Sequence, residues 1–191
     1  MANAEGVGVY NGDGDIYWHA VLGAGKSFGI VKVTEGVTLI DHHLQRNMDS
    51  MKQLNMVRGC YHFFRFDSDP FQQANRFLNA AYGAGYDSDK GIPLVADIED
   101  RKGANKLTQP QIWNKVGAFL HTVEQRMGRF AVIYCDLGFA NTYLGDGFGG
   151  ASFVACLSGT RYDQVTRWMG KVGILAILKL RKCIWDKCSK C

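Results

Sequence analysis

One segment decides the fold: Ile92-Pro93-Leu94-Val95-Ala96-Asp97-Ile98-Glu99-Asp100. Its first five residues are apolar, and three carboxylates follow within the next four positions. A short continuous apolar run is typical of a strand that is buried on both faces, where a charge is costly. We therefore expect the carboxylates to emerge at the carboxyl end of a strand, where barrels and open α/β sheets carry their chemistry.

Asp97 and Glu99 form a candidate catalytic pair. Because strand side chains alternate between faces, these two should point the same way and Ile98 the opposite way. Their Cα atoms should lie roughly 6–7 Å apart. Two carboxylates at that separation resist ionising together, which raises the pKa of one toward the range of a general acid. A solvated strand end is the ordinary alternative for such a pair taken alone.

The composition indicates a single domain with a substantial core. The chain has 191 residues, of which 47% are hydrophobic, and only 3 prolines. A net charge of +4 is too small to predict a nucleic-acid partner, although it suits an anionic polymer such as cell wall. Residues 1–6 show no secretory signal, and the apolar run at 172–180 is too short for a membrane span.

The six cysteines fall into two groups. Cys60, Cys135 and Cys156 lie in strand-like apolar runs and are predicted to be buried thiols. The other three form a C-x4-C-x2-C pattern at the end of the chain: Cys183, Cys188 and Cys191. They supply three metal ligands without an evident fourth, so we expect free thiols in a tail and no metal or cofactor.

Strand and helix patterns alternate along the chain. The predicted strands lie at residues 5–10, 27–33, 57–64, 130–135 and 152–156, with the acid-bearing segment as the fourth of six. Predicted helices start at Asp15, Asp41, Asp69-Pro70 and the capping box Thr108–Gln111. The apolar stripe predicted for the third helix is Phe71, Ala74, Phe77, Leu78 and Ala81, and that for the fourth is Ile112, Val116, Phe119, Leu120, Val123 and Met127. Repeated βα units favour a largely parallel sheet, and the element lengths favour a barrel.

The strands of a barrel would bring their polar carboxyl ends to one mouth. These ends carry Lys32, Thr34, Glu35, Tyr61, His62, Arg65, Asp97, Glu99, Asp100, Tyr134 and Asp136. Each has an ordinary explanation when taken alone: a histidine in an aromatic run, such as His62, is commonly a packed core residue. Together, carboxylates flanked by tyrosines are typical of a site that holds a sugar and acts on its glycosidic oxygen.

The chain also resembles the glycoside hydrolase family 25 lysozymes over about residues 6–157. The matching pieces are Gly14-Asp15-Ile16-Tyr17-Trp18, Phe28-Gly29-Ile30-Val31-Lys32-Val33-Thr34-Glu35-Gly36, Gly59-Cys60-Tyr61-His62-Phe63-Phe64-Arg65, Pro93-Leu94-Val95-Ala96-Asp97-Ile98-Glu99 and Val132-Ile133-Tyr134. The resemblance implies an irregular TIM-like (β/α)5β3 barrel that hydrolyses the β-1,4 bond between N-acetylmuramic acid and N-acetylglucosamine without a metal or cofactor. It implies Glu99 as general acid and Asp97 as its acidic partner. The expected substrate-binding residues are Tyr61, His62, Arg65, Tyr134, Glu35 and Asp13.

The chain departs from the family pattern in two places. The first strand of the family usually reads Gly-Ile-Asp-Val-Ser, but Gly8 stands at the aspartate position and Tyr10 at the serine position. Asp13, at the usual glutamine position, is the nearest carboxylate. Residues 168–191 match nothing in the family, so we expect a barrel domain over 1–170 and a divergent tail over 171–191.

Three hypotheses follow. The first is a monomeric muramidase that acts on peptidoglycan glycan strands, in an extracellular or phage-lysis setting. The second is a pseudoenzyme that binds wall glycan but turns it over weakly or not at all. The third is a metal-dependent barrel hydrolase that would use His42, His43 and His62.

Overall fold

The computed structural model describes residues 5–145, which form a mixed α/β unit built on a curled parallel half-barrel. The predicted parallel sheet is confirmed within this range. The predicted strand at 152–156, Cys156, the cysteine group of the tail, and the proposed boundary between 1–170 and 171–191 lie outside the described residues.

Within residues 5–145, six strands make one sheet. They are β1 (Gly6–Val9), β2 (Phe28–Glu35), β3 (Leu39–Ile40), β4 (Val57–Phe63), β5 (Val95–Asp97) and β6 (Val132–Tyr134). The sheet order is β1-β2-β4-β5-β6 with every pair parallel, and β3 adds to β2 in the antiparallel sense. The short β3 was not predicted, because a two-residue strand carries no periodic pattern.

Helices follow the parallel strands. They are α1 (Trp18–Gly23), α2 (Leu44–Gln53), α3 (Pro70–Gly83), α4 (Arg101–Ala104), α5 (Gln109–Met127) and α6 (Leu137–Phe139), with a 3-10 turn at Asn11–Asp13 and a π-helical turn at Ala140–Leu144. The predicted start of α3 is confirmed, since Asp69 Oδ1 accepts from the Gln72 amide at 2.8 Å. The capping box at Thr108 is confirmed as well, and α5 ends where Gly128 takes a φ of 69°.

Two predicted helix starts were wrong. The first helix begins at Trp18 rather than beside Asp15, whose carboxylate pairs instead with Arg46. The second begins at Leu44, and Asp41 is buried before it. The Asp41 carboxylate accepts from the amides of Asn11 and His43, so it ties the turn after β1 to the start of α2 rather than capping a helix.

The sheet has a helix-facing side and a groove-facing side. The helix-facing side carries the main core, which includes the predicted stripe of α5 and most of that of α3, but Phe71 is 54% exposed and is not part of it. Cys60 and Cys135 are confirmed as buried free thiols. The groove-facing side holds a smaller cluster made of Phe28, Ile30, Val95 and Val132, with Tyr61, Ile92 and Tyr134 packed against it.

A β-bulge in β2 changes which side chains face the groove. The pairing with β4 shifts between Lys32 and Thr34. Val33 belongs to the helix-facing core, and the Thr34 hydroxyl lies 2.7 Å from His62 Nδ1 on that same side. Two consecutive residues thus face the helices, and Glu35 returns to the groove face with Lys32.

Candidate active site

The carboxyl ends of four strands meet in one row. Glu35, Phe63, Asp97 and Tyr134 are neighbours across β2, β4, β5 and β6. One layer deeper, the row reads Lys32, Tyr61, Val95 and Val132. Five polar residues that the sequence placed at a common mouth therefore come together along these strands: Lys32, Glu35, Tyr61, Asp97 and Tyr134.

Asp97 and Glu99 both turn toward the groove at the end of β5. Ile98 between them is fully buried in the helix-facing core, as the alternation of side chains predicted. The backbone ladder runs on through this segment, because the Ile98 amide donates to the Tyr134 carbonyl at 2.8 Å and the Phe64 amide to the Asp97 carbonyl at 2.9 Å. The pair is thus held by main-chain hydrogen bonds on both sides.

Burial dominates the electrostatics of the pair. It raises the pKa of Asp97 well above its usual range, the charge of Glu99 adds to this effect, and Lys32 opposes it. Burial also raises the pKa of Glu99, with Asp136 as the next cause. From sequence we expected repulsion between Asp97 and Glu99 to be the cause, but desolvation comes first for both. Asp97 Oδ1 is a buried oxygen that has no hydrogen-bond partner among the described residues.

Glu35 lies at the centre of an ion network. It accepts from Lys32 Nζ at 2.6 Å and from Arg65 Nε at 2.9 Å, and Arg65 Nη1 also reaches Asp100 Oδ1 at 3.2 Å. Burial alone would raise the pKa of Glu35, but the hydrogen bonds from Lys32 and Arg65 outweigh it and lower the pKa. Both Glu35 oxygens are engaged by protein cations, so the network orders the mouth whether or not Glu35 touches a ligand.

Tyr61 lies on the central strand β4, within electrostatic reach of Asp13 in the turn after β1. Burial raises the pKa of the Tyr61 hydroxyl, and the charges of Asp97, Asp41 and Asp13 add to that. The Asp13 carboxylate accepts from the Tyr10 amide at 3.0 Å. The turn after β1 thus brings one acid near the groove, at the tip of a loop rather than on the strand.

His62 faces the helices, not the groove. It is fully buried, its ring stacks on Phe119 with centroids 5.0 Å apart, and its ring nitrogens meet Thr34 Oγ1 at 2.7 Å and Gln73 Oε1 at 3.0 Å. Burial lowers its pKa to about 4. The expectation that His62 contacts substrate does not fit this placement. His62 is instead a packed core residue, the alternative that its aromatic neighbours in sequence had left open.

Two residues that sequence reasoning placed at the mouth without a role gain one from the geometry. Asp136 lies just after the end of β6, and its carboxylate accepts from Arg101 Nη2 at 2.6 Å. It is close enough to Glu99 for its charge to raise the pKa of Glu99. Lys32 pairs with Glu35 only because of the bulge. The position of Asp136 at a strand end was a usable signal, whereas nothing in a simple alternating pattern brings Lys32 and Glu35 to one face.

The histidines of the metal hypothesis do not meet. His62 is in the core, while His42 and His43 precede α2 with their rings 4.7 Å apart. Within residues 5–145, no group of three or more His, Cys, Asp or Glu side chains is arranged to hold a metal ion. Over the same range, no helix has the length and apolar character needed to cross a membrane.

Comparison with known proteins gives one consistent family. Residues 7–156 match the profile described as Glycosyl hydrolases family 25. Lysozyme M1 of Streptomyces globisporus is 32% identical over 158 residues, which are 79% of this chain and 52% of that protein. An uncharacterized protein of Escherichia coli, YegX, is 32% identical over 118 residues, 61% of this chain and 40% of its own length. The chain thus spans about half or less of these curated relatives.

Solved structures share the fold. The bacterial lysozyme from Streptomyces coelicolor superposes with a TM-score of 0.73 at 29% identity, over 82% of this chain and 75% of that one. A family 25 glycosyl hydrolase from Bacillus anthracis gives a TM-score of 0.75 at 22% identity, over 94% of this chain and 76% of that one.

Proposed function

The chain belongs to glycosyl hydrolases family 25, and from this membership we propose that it hydrolyses the β-1,4 bond between N-acetylmuramic acid and N-acetylglucosamine in peptidoglycan. The observation that carries the proposal is the pair Asp97 and Glu99, which share the groove face at the end of β5 with raised pKa values. A carboxyl group that keeps its proton near neutral pH is what protonation of a glycosidic oxygen needs.

Glu99 is the proposed general acid. Burial and the neighbouring Asp136 raise its pKa, which favours the protonated form that the leaving oxygen needs. Asp97 either stabilises the developing positive charge or orients the acetamido group of the substrate. The buried, unpartnered Asp97 Oδ1 supports this second role, because an acetamido N–H would supply the donor that the described residues do not.

The groove walls are proposed to hold the sugar. Tyr61 and Tyr134 pack on the groove-facing cluster and offer ring faces to apolar sugar surfaces. Arg65 has a side chain that is 38% exposed beside the mouth, and Asp13 borders the β1 side. Glu35 supports the groove indirectly, by holding Lys32 and Arg65 in place. His62 supports it by packing on Phe119 behind the sheet. In this proposal the protein works as a monomer on cell wall, without a metal or cofactor.

A pseudoenzyme that binds wall glycan is the second candidate. Gly8 favours it, since it leaves the groove face of β1 without a carboxylate where the family pattern has one. Loss of one charge-stabilising group commonly costs a factor of about 10²–10³ in rate. Binding through the tyrosines would survive such a loss better than turnover.

Release of reducing ends from purified peptidoglycan separates the two candidates. The wild type should release them, Glu99→Gln should not, and Asp89→Asn should match the wild type because Asp89 is exposed and away from the mouth. Co-sedimentation with wall, run on the same samples, measures binding. Wild-type protein that sediments with wall yet releases no more than Glu99→Gln is the pseudoenzyme. Activity that a chelator abolishes would revive the metal hypothesis.

A further inference from the structure

The bulge in β2 gives the buried ammonium of Lys32 a carboxylate partner. Lys32 is only 8% exposed, and a buried charge is costly unless it is paired. Glu35 supplies the pairing at 2.6 Å, while the rings of Phe63 and Tyr10 lie 5.4 Å and 5.7 Å from Lys32 Nζ. A regular strand would have turned Glu35 to the helix side and left this ammonium without its carboxylate.

The ammonium of Lys32 lies over the residue next to Asp97 in the sheet. In the sheet, Phe63 stands between Glu35 and Asp97, and Lys32 Nζ lies over the Phe63 ring. Two strand spacings separate Glu35 from Asp97, roughly 10 Å between backbones. The ammonium therefore occupies the space above the one strand that divides the two carboxylates.

We propose that Lys32 is a positioning residue for the reaction: its ammonium, clamped by Glu35 above Phe63, stabilises the charged form of Asp97. The inference deepens the proposed function and rests on it for its kinetic consequence. A productive site needs one carboxyl charged and the other protonated, and burial acts against the charged form of Asp97.

Among the described residues, Lys32 is the cation that stabilises the charged form of Asp97. Glu99 and Glu35 both disfavour a charge on Asp97. The other titratable groups near Asp97 are Tyr61 on β4, Tyr134 on β6, and Cys135 just after β6. Burial raises the pKa of Tyr61, and it raises that of Cys135 to about 12, so both stay neutral and supply no counter-charge.

Titration of Asp97 by carboxyl NMR tests the inference without any need for turnover. The signal is assigned with Asp97→Asn, and four variants are compared: Lys32→Met, Lys32→Arg, Glu35→Gln and the exposed control Lys90→Met. The pKa of Asp97 should rise in Lys32→Met, stay close to wild type in Lys32→Arg and Lys90→Met, and fall in Glu35→Gln. The fall is expected because the glutamine removes a negative charge but keeps an oxygen that accepts from Lys32.

The opposite signs distinguish electrostatic control from loss of structure, which would damage both variants alike. An Asp97 titration unmoved in Lys32→Met overturns the inference, and so does Lys32→Arg behaving like Lys32→Met. Should Lys32→Met fail to fold, a pKa of Asp97 that does not fall in Glu35→Gln overturns it.

The kinetic arm uses the pH profile of reducing-end release. On the acid limb, kcat of Lys32→Met should drop about tenfold, which is one pH unit of displacement, with KM little changed. If the variants show the predicted changes in the pKa of Asp97 but the wild type releases no reducing ends, the muramidase proposal is refuted and the electrostatic role of Lys32 stands. If the wild type turns over but the pKa of Asp97 does not change in the variants, the role of Lys32 is refuted and the muramidase proposal stands.

Discussion

Replacing Asp100 with alanine should destabilise the fold by about 3 kcal/mol. Asp100 directly follows Glu99 and is only 6% exposed. Its carboxylate accepts from the Phe66 amide at 3.2 Å, from the Gly103 amide at 3.1 Å and from Arg65 Nη1 at 3.2 Å. One side chain thereby joins the segments after β4 and β5 and begins α4.

The magnitude follows from these three contacts. Loss of the cap on α4 costs about 1 kcal/mol. The Phe66 amide is buried and would lose its acceptor, which costs about 1–2 kcal/mol. Arg65 keeps Glu35, so its share is about 0.5–1 kcal/mol. The sum is about 3 kcal/mol, well above that of an ordinary helix cap.

Asp69→Ala is the matched control. Asp69 also caps a helix, through the Gln72 amide at 2.8 Å, but it is exposed. Urea unfolding should show a loss of about 1 kcal/mol for Asp69→Ala and about 3 kcal/mol for Asp100→Ala. Equal losses in the two variants would show that the bridge between the strand ends adds nothing, and the reasoning from burial would fail.

Three further predictions concern pH and the first strand. Activity should fall as pH rises past the raised pKa of Glu99, since the acid must be protonated to donate; a carboxyl NMR titration near the ordinary ~4.3 would contradict this. His62 is held neutral with a pKa of about 4, below its unfolded value of 6.5, so its stabilisation is complete above pH 6.5 and is lost as pH falls toward 4, by up to about 3 kcal/mol. Urea unfolding between pH 7 and 4.5 should show that slope in the wild type and in the exposed control His121→Gln, and not in His62→Gln. Gly8→Asp should raise kcat about tenfold with little change in KM; an unchanged kcat in a folded protein would favour the pseudoenzyme.

Periodicity predicted the long elements because burial there is one-sided and regular. All six positions of the predicted α5 stripe, from Ile112 to Met127, are buried, and the helix begins at the predicted capping box. Phe71 fails as a core residue although it fits the period, because it lies at the first turn of α3 and points away from the sheet side. Asp15 and Asp41 resemble helix caps in sequence, but partners distant in the chain take their carboxylates. A local pattern cannot reveal such partners.

The candidate site was predictable only where a strand is regular. Asp97, Ile98 and Glu99 alternate as expected, so the pair follows from sequence alone. In β2 the bulge breaks that rule: simple alternation from Lys32 would put Thr34 in the groove and Glu35 outside, and the structure has the reverse. His62 pairs with Thr34 in the sheet and stacks on Phe119. Its place on the helix-facing side reflects these packing contacts, which its polarity alone does not predict.

The glycine of the first strand bears on the same charge balance. Gly8 pairs with Ile30, whose side chain belongs to the groove-facing cluster, so a carboxylate at position 8 would add negative charge to the groove. Such a charge would stabilise a cationic transition state, but it would also make Asp97 harder to ionise beside Glu99 and Glu35. The gain in kcat from Gly8→Asp should therefore be larger at higher pH, where Asp97 is ionised in either protein. Gly8 and Lys32 thus act in the same direction, since the absence of one anion and the presence of one cation both favour a charged Asp97.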